Sequence, residues 1–277
     1  WQLALLACAV AALVDPKRLG GGVLLGIATA LSLAIGLEML LYLALAGAVT
    51  VCLWIWDREE APRLLAYGAS LGGGTAFAFL VFASEANRAP VCDALSPVWL
   101  SVMAGAGAIA ALLALAPAGA RLSRFGLAAA AGGVLAAFFV LAWPDCLGRL
   151  EGSSPELARL WLDRVREALP VWRHGARLAA LIVTLPVAGL LGYGLMIWTN
   201  RRDPGRLTPW IAVAFPAFLS AGLLMWQTRA GHAAQLLAIP GASALAWTLL
   251  VWIQSKRWAL VRIVGISATI VIISGLG

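Results

Sequence analysis

The sequence predicts an all-α protein, a polytopic transmembrane helix bundle of about ten spans that forms one domain over residues 1–277. The first observation is composition: 62% of the 277 residues are apolar and 12% are charged, against roughly half and a quarter in a soluble domain. The second is that charged and proline-rich segments divide the chain into apolar runs near the ~20 residues that a spanning helix needs. The third is that basic residues gather in alternate loops. Together these observations exclude a water-soluble globule, a disordered chain and a nucleic-acid-binding arm.

The predicted helices follow from the apolar runs. In order, they are 1–14, 20–36, 39–56, 64–83, 99–117, 126–143, 178–198, 209–226, 235–253 and 262–277. A single helix over 20–56 would be about 55 Å long, far more than a hydrocarbon core of about 30 Å, so this run is divided near Gly36 and Glu38. The first and last runs are short, and we therefore expect the chain to be a piece of a longer membrane protein.

The charges predict the orientation. With the division at Gly36, the loops on one side hold 12 basic and five acidic residues, and those on the other side hold eight of each. Short loops rich in arginine and lysine mark the cytoplasmic face. Loops 84–98, 144–177 and 227–234 are therefore predicted to be extracytoplasmic, and the net charge of +7 reflects topology rather than an acidic partner.

The long loop 144–177 contains a helix signal of its own. Ser154 can cap a helix, Pro155 suits its first position, and apolar residues recur at helical spacing until Pro170 ends the pattern. One interpretation is an amphipathic helix on the outer membrane–water boundary. The other is an element that gates a substrate.

The four cysteines separate by depth. Cys8 and Cys52 fall inside apolar runs and are predicted to be packing residues. Cys92 and Cys146 fall in two outer loops, where an oxidising compartment would allow a disulfide. Two free, buried thiols are the alternative.

The sequence carries little that indicates soluble enzyme chemistry. Its two histidines, His174 and His232, are 58 residues apart, so no zinc helix motif can be written, and neither of the two lysines lies in a P-loop pattern. No cofactor is identifiable, and metal dependence stays open.

Two acidic residues near predicted outer helix ends are candidate substrate-binding residues. Glu38 is flanked by apolar residues, where a carboxylate is costly unless it is paired or faces water. It is either a substrate contact in an outward cavity or a helix-boundary residue. Asp93 follows Cys92, with Arg88 five residues earlier, so a loop ion pair and a binding role are both open.

Arg229, His232 and Gln235 lie at the start of the ninth predicted span. Their spacing of three places them near one helical face. Because arginine offers a planar pair of donors to phosphate oxygens, Arg229 and His232 are candidates for binding a lipid phosphate. A simple anchor for a phospholipid headgroup is the alternative.

Several strings resemble bacterial inner-membrane proteins related to the GT-C glycosyltransferases. They are LSLAIGLEMLLYLAL around Glu38, VCDALSP at 91–97, WPDCLGR at 143–149, SPELARLWLDRVREA at 154–168 and RAGHAAQLLAIPGASAL at 229–245. The resemblance implies a bacterial inner-membrane location and transfer of a sugar from a polyprenyl-phosphate carrier at the extracytoplasmic face. Glu38, Arg229 and His232, and with less support Asp93, then become contacts to donor phosphate or acceptor.

The acidic catalytic motif that such enzymes carry in a first outer loop has no match in this sequence, so the resemblance supplies no catalytic residue. The implied partners are membrane lipids, a polyprenyl-phosphate-linked sugar and possible subunits of a membrane complex, with no nucleic acid. A transporter or flippase, and a non-catalytic structural subunit, are the alternative functions. Few ionisable residues fall in the central spans, which argues against ion-coupled transport.

Overall fold

The computed structural model describes residues 1–147, 156, 160 and 165–274, with side chains up to residue 269. Ten α-helices are present in this part of the chain, which confirms the predicted all-α fold. They are α1 (Gln2–Leu13), α2 (Arg18–Ile35), α3 (Leu40–Trp56), α4 (Ala61–Phe82), α5 (Pro97–Leu115), α6 (Arg121–Ala142), α7 (Ala176–Asn200), α8 (Pro204–Leu223), α9 (Gly231–Gln254) and α10 (Ala259–Ser274). Seven of them, α2 and α4 to α9, are long and apolar enough to cross a membrane.

The division of the run 20–56 is confirmed, because α2 ends at Ile35 and α3 begins at Leu40. Several helices begin earlier than predicted. The sequence-based bounds excluded charged residues, whereas α6 starts at Arg121, and α8 starts directly after Asp203, whose carboxylate caps it by accepting from the Gly205 N–H at 3.1 Å. Hydropathy therefore located the spans, and polar first turns extended them.

The predicted amphipathic helix at 154–169 lies largely outside the described residues. Glu156 and Leu160 are helical, but Val165 is extended and Arg166–Ala168 forms a separate 3-10 turn. The prediction that the helix continues to Pro170 is therefore wrong. The backbone becomes extended at Val165, before Pro170, and the periodicity of the sequence did not reveal this change.

The chain divides into two compact units, Trp1–Ser154 and Pro155–Gly277. Each is described by itself below, as unit 1 and unit 2. The single bundle domain expected over 1–277 stays a prediction.

Unit 1 is built around α4, which packs closely against α2 and α5. A Cβ atom at Gly22 would overlap the Arg63 carbonyl oxygen, and one at Gly68 would overlap the Gly107 carbonyl oxygen. Because glycine has no side chain, the backbones approach to within direct contact at these positions. Close packing at these positions therefore comes from small residues and not from interlocking large side chains.

One end of unit 1 is closed by arginines that bind helix carbonyls. Arg63, 4% exposed, donates to the carbonyl oxygens of Ala12 and, at 2.6 Å, Asp15, just at and after the end of α1. Arg124, also 4% exposed, donates to Ile55 O of α3 at 2.9 Å. The last carbonyls of a helix have no partner within the helix, and a cation near them also interacts favourably with the negative end of the helix dipole. These contacts bring three of the predicted cytoplasmic loops to one end of unit 1.

The opposite end of unit 1 contains the disulfide Cys92–Cys146, with a Cα–Cα distance of 5.5 Å. This confirms the predicted pairing. Trp99 supports the loop by donating from Nε1 to Cys92 O at 2.8 Å, and Trp143 donates to Ser101 Oγ at 3.1 Å. The bond therefore joins the entry of α5 to the exit of α6.

Cys92→Ser should lower the stability of unit 1 by about 2 kcal/mol, at the low end for a disulfide, because the membrane already confines the helices between the two cysteines. Thermal unfolding in detergent, with and without reductant, measures the effect. Cys52 provides the control, because it is a free thiol exposed on α3, where the sequence predicted a packing residue. An equal loss of stability in Cys52→Ser would contradict the attribution of the effect to the Cys92–Cys146 disulfide.

Unit 2 is organised around a close, parallel contact between α7 and α9. A Cβ atom at Gly192 would overlap the carbonyl oxygen of Gly241, and one at Gly241 would lie against the Tyr193 ring. The Tyr193 hydroxyl donates to Leu237 O at 2.8 Å, so a buried polar atom has its partner across the same contact. This pair of helices fixes the position of the loops at both of its ends.

Candidate anion-binding groove

The four sequence-predicted site residues are divided between the units. Glu38 lies exposed in the turn between α2 and α3, and Asp93 is exposed in the loop before α5. Arg229 lies in the 3-10 turn Thr228–Ala230, and His232 is exposed in the first turn of α9. Glu38 and Asp93 belong to unit 1 and the other two to unit 2, so their role as one site stays a prediction.

The alternative interpretation of Asp93 as half of a loop ion pair has no support in the structure. Within the part of the chain described, no ion pair joins Asp93 to Arg88, and both side chains are exposed. Asp93 keeps the geometry of an ordinary polar loop residue.

A groove that the sequence analysis did not identify lies in unit 2 at the N-terminal end of α7. It has a volume of about 650 Å³. Its polar lining consists of Arg166, Arg173, His174 and Arg177, and its apolar lining includes Leu169, Leu178 and Leu181. A cationic wall and an apolar wall thus face the same space.

The groove is positioned by a short segment that crosses the end of the unit. The Val171 N–H donates to Leu224 O at 3.1 Å, and the Thr228 N–H donates to Leu169 O at 2.9 Å. Val171 is buried in an apolar cluster with Leu224 and Ala230. Because the backbone is held on both sides of Pro170, the residues that follow it are placed against the start of α7.

His174 is fixed by a side-chain contact to the α8–α9 connection. Its Nε2 lies 2.7 Å from Thr228 Oγ1, and the Thr228 hydroxyl donates to Leu169 O. The same threonine therefore holds the histidine and the carbonyl of the preceding segment. The ring is half-buried and lines the groove.

The electrostatics of the groove favour an anion. Among the described residues that line it, three are arginines and none is acidic. The first turn of α7 also contains no acidic residue, so the positive end of its helix dipole is not neutralised locally. Arginine donates two parallel hydrogen bonds to phosphate or carboxylate oxygens.

The apolar part of the groove continues along α7. Leu178 and Leu181 are 42% and 40% exposed, at the start of a helix of 25 residues with membrane-spanning composition. An anionic head bound by the arginines would therefore have an apolar tail beside α7. This arrangement fits an amphiphile with a phosphate head better than a free ion.

Metal and nucleophile chemistry find no support in the described residues. No group of three or more His, Cys, Asp or Glu residues there could hold a metal ion. The string Gly68–Ala69–Ser70–Leu71–Gly72 has the spacing of a nucleophile elbow. However, it lies in the middle of α4, and the Ser70 hydroxyl donates to Ala66 O at 2.6 Å. A strand–turn–helix context is required for that motif, so Ser70 is a packing residue.

A signal for the groove was present in the sequence. Six of the eight basic residues on the predicted outer side fall in loop 144–177, and the string VWRHGAR directly precedes an apolar run. The sequence analysis attributed these charges to topology and to a surface helix. It selected Arg229 and His232 instead, which lie close to Thr228 in sequence and do not line the groove.

No protein-family model matches the chain, and comparisons with curated proteins and with solved structures found no match to it. The function is therefore inferred from the residues and their geometry.

Proposed function

We propose that this multi-pass membrane protein binds a phosphate-bearing lipid in the groove of unit 2, as the carrier-binding part of a GT-C-like, polyprenyl-phosphate-sugar-dependent transferase. The observation that carries the proposal is the placement of Arg166, Arg173 and Arg177 beside an apolar wall at the end of a membrane-length helix. A polyprenyl phosphate has the matching chemistry, an anionic phosphate on a long apolar chain.

The charge distribution supports an extracytoplasmic position for the groove. The end of unit 2 that carries loops 201–203 and 255–258 is the one predicted to be cytoplasmic. Residues 166–177 lie just before and at the start of α7, and 201–203 follow its end. In a bacterial inner membrane, the groove would then open toward the side on which sugars leave polyprenyl carriers.

The resemblance to GT-C glycosyltransferases supports the same assignment through different residues. It connects the string that begins at Arg229 with the carrier side of a site, and Arg229 directly follows Thr228, which holds His174. Arg229 and His232 are then the flank of the carrier site, and the arginines of the groove are its phosphate contacts.

The double variant Arg173→Ala/Arg177→Ala should weaken binding of a polyprenyl phosphate about tenfold or more. Hydrogen bonds to charged groups contribute about 1.5–3 kcal/mol each, and solvent screening reduces that contribution at these exposed side chains. Binding is measured on the detergent-solubilised full chain by native mass spectrometry or by quenching of tryptophan fluorescence. The polyprenol of equal length, which lacks the phosphate, should bind weakly and equally to both proteins.

Arg201→Ala/Arg202→Ala is the matched control, because these two arginines follow the opposite end of the same helix and are also exposed. It removes the same charge and should leave affinity unchanged. Equal loss of affinity in both double variants would show that the effect comes from net charge and not from the groove. Unchanged affinity in Arg173→Ala/Arg177→Ala would remove the groove as the phosphate site.

A further inference from the structure

The hydrogen-bond chain at His174 determines which ring nitrogen carries the proton. The Thr228 hydroxyl has one proton and donates it to Leu169 O. The 2.7 Å contact between His174 Nε2 and Thr228 Oγ1 therefore requires Nε2 to be the donor and the hydroxyl oxygen to be the acceptor. Neutral His174 then carries its proton on Nε2, and Nδ1 is the nitrogen with a lone pair.

We propose that His174 is a ligand-binding residue of the groove and that it takes up a proton at Nδ1 when a lipid phosphodiester binds, donating a hydrogen bond to a phosphate oxygen. This inference rests on the proposed function, since it assigns the chemistry of one contact in the same groove. The ligand class is an anionic phosphodiester on an apolar chain, the form that a sugar-loaded carrier has.

The surrounding charges couple the proton to the ligand. Arg166, Arg173 and Arg177 line the groove with His174. Two further charged residues are sequence neighbours of these groups. Arg229 follows Thr228, and Glu167 follows Arg166. A bound phosphodiester places a negative charge beside the ring and favours the imidazolium, whose Nδ1–H can then donate to it.

The sign of the pH dependence follows from this coupling. Histidine is the side chain that ordinarily changes charge between pH 5 and 8. If the complex holds one proton more than the empty protein, affinity must increase as the pH falls through that range. The arginines stay charged throughout and contribute equally at every pH.

The experiment measures binding of polyprenyl-phosphate glucose to the full chain in detergent at pH 8.0 and pH 5.5. Its phosphodiester carries one negative charge across this range, so a change in affinity reports on the protein. We expect the unmodified protein to bind about tenfold more tightly at the lower pH, the order expected for one added charge-assisted hydrogen bond. His174→Gln should bind at both pH values with the affinity that the unmodified protein has at pH 8.0.

His232→Gln tests whether the other histidine of the sequence, exposed at the same end of unit 2 and on the flank of the proposed carrier site, carries the pH dependence instead. Whatever its affinity at pH 8.0, this variant should keep the same ratio of affinities between pH 5.5 and pH 8.0. Calorimetry in two buffers with different ionisation enthalpies adds an independent readout, since proton uptake should be measurable on binding and absent in His174→Gln. A melting temperature close to that of the unmodified protein shows that each variant is folded.

The outcomes separate this inference from the proposed function. Binding that depends on Arg173 and Arg177 but keeps its pH dependence in His174→Gln would overturn the role of His174 and leave the groove as the phosphate site. Transfer of the pH dependence to His232 would also overturn it. If the phosphodiester binds neither at pH 8.0 nor at pH 5.5, both proposals are overturned.

Discussion

Gly192→Ala should destabilise unit 2 by about 3 kcal/mol, the upper part of the usual cost of overpacking. A Cβ atom at this position would overlap the backbone carbonyl oxygen of Gly241. Backbone cannot rotate away as a flexible side chain can, so α7 and α9 must separate along their contact. Separation would also lengthen the hydrogen bond from Tyr193 to Leu237 O, now 2.8 Å.

Gly194→Ala, two residues further along the same helix, is the control for Gly192→Ala. No atom lies within 4 Å of a Cβ built at Gly194, and alanine is favoured over glycine within a helix by roughly 1 kcal/mol. Gly192→Ala should therefore lower the melting temperature. Gly194→Ala should raise it or leave it unchanged. Equal destabilisation of both would show that α7 and α9 do not touch at Gly192.

Arg63→Ala should destabilise unit 1 by about 3 kcal/mol, the lower end for breaking a buried charged pair. Arg63 donates to Glu60 Oε2 at 2.6 Å and to two carbonyl oxygens at the end of α1. Glu60 keeps a partner in Arg18, 2.9 Å away. The main cost is therefore the loss of donors to buried carbonyls.

Two further substitutions test the reason for the Arg63 effect. Arg58→Ala removes the same charge from an exposed position nearby and should change stability by less than about 0.5 kcal/mol. Arg63→Lys keeps the charge but loses the planar fork of donors, so it should recover only part of the lost stability. Full recovery with lysine would show that charge alone, and not the pair of carbonyl contacts, explains the effect. Thermal unfolding in detergent provides the comparison.

The helices were predictable because a membrane makes hydropathy the dominant local signal. The turn at Gly36 and Glu38 and the pairing of Cys92 with Cys146 also followed from length and depth. The early helix starts were not predictable from hydropathy, because Arg121 and Arg124 are charged residues inside α6. Their guanidinium groups bind carbonyl oxygens of α3, a contact that depends on packing between helices and not on the local pattern.

The groove could be predicted only in part. The accumulation of basic residues before α7 is visible in the sequence, but its geometry depends on contacts between Leu169 and Thr228, 59 residues apart, and between His174 and Thr228, 54 residues apart. Two of the contacts that hold this segment are backbone hydrogen bonds, which leave no side-chain pattern. A pattern-based choice therefore identified Arg229 and His232, close in sequence to the anchoring threonine.

The arginine contacts at the end of unit 1 have a consequence for biosynthesis. Helices α1 and α3 have 12 and 17 residues, and the arginines that bind their last carbonyls are separated from those carbonyls by 51 and 69 residues. Each arginine lies at the start of the third helix to follow. During synthesis, the last carbonyls of α1 therefore gain their arginine donor only after α4 is made, and those of α3 only after α6 is made. We expect the nascent chain to settle in overlapping groups of four helices, each completed when its arginine leaves the ribosome.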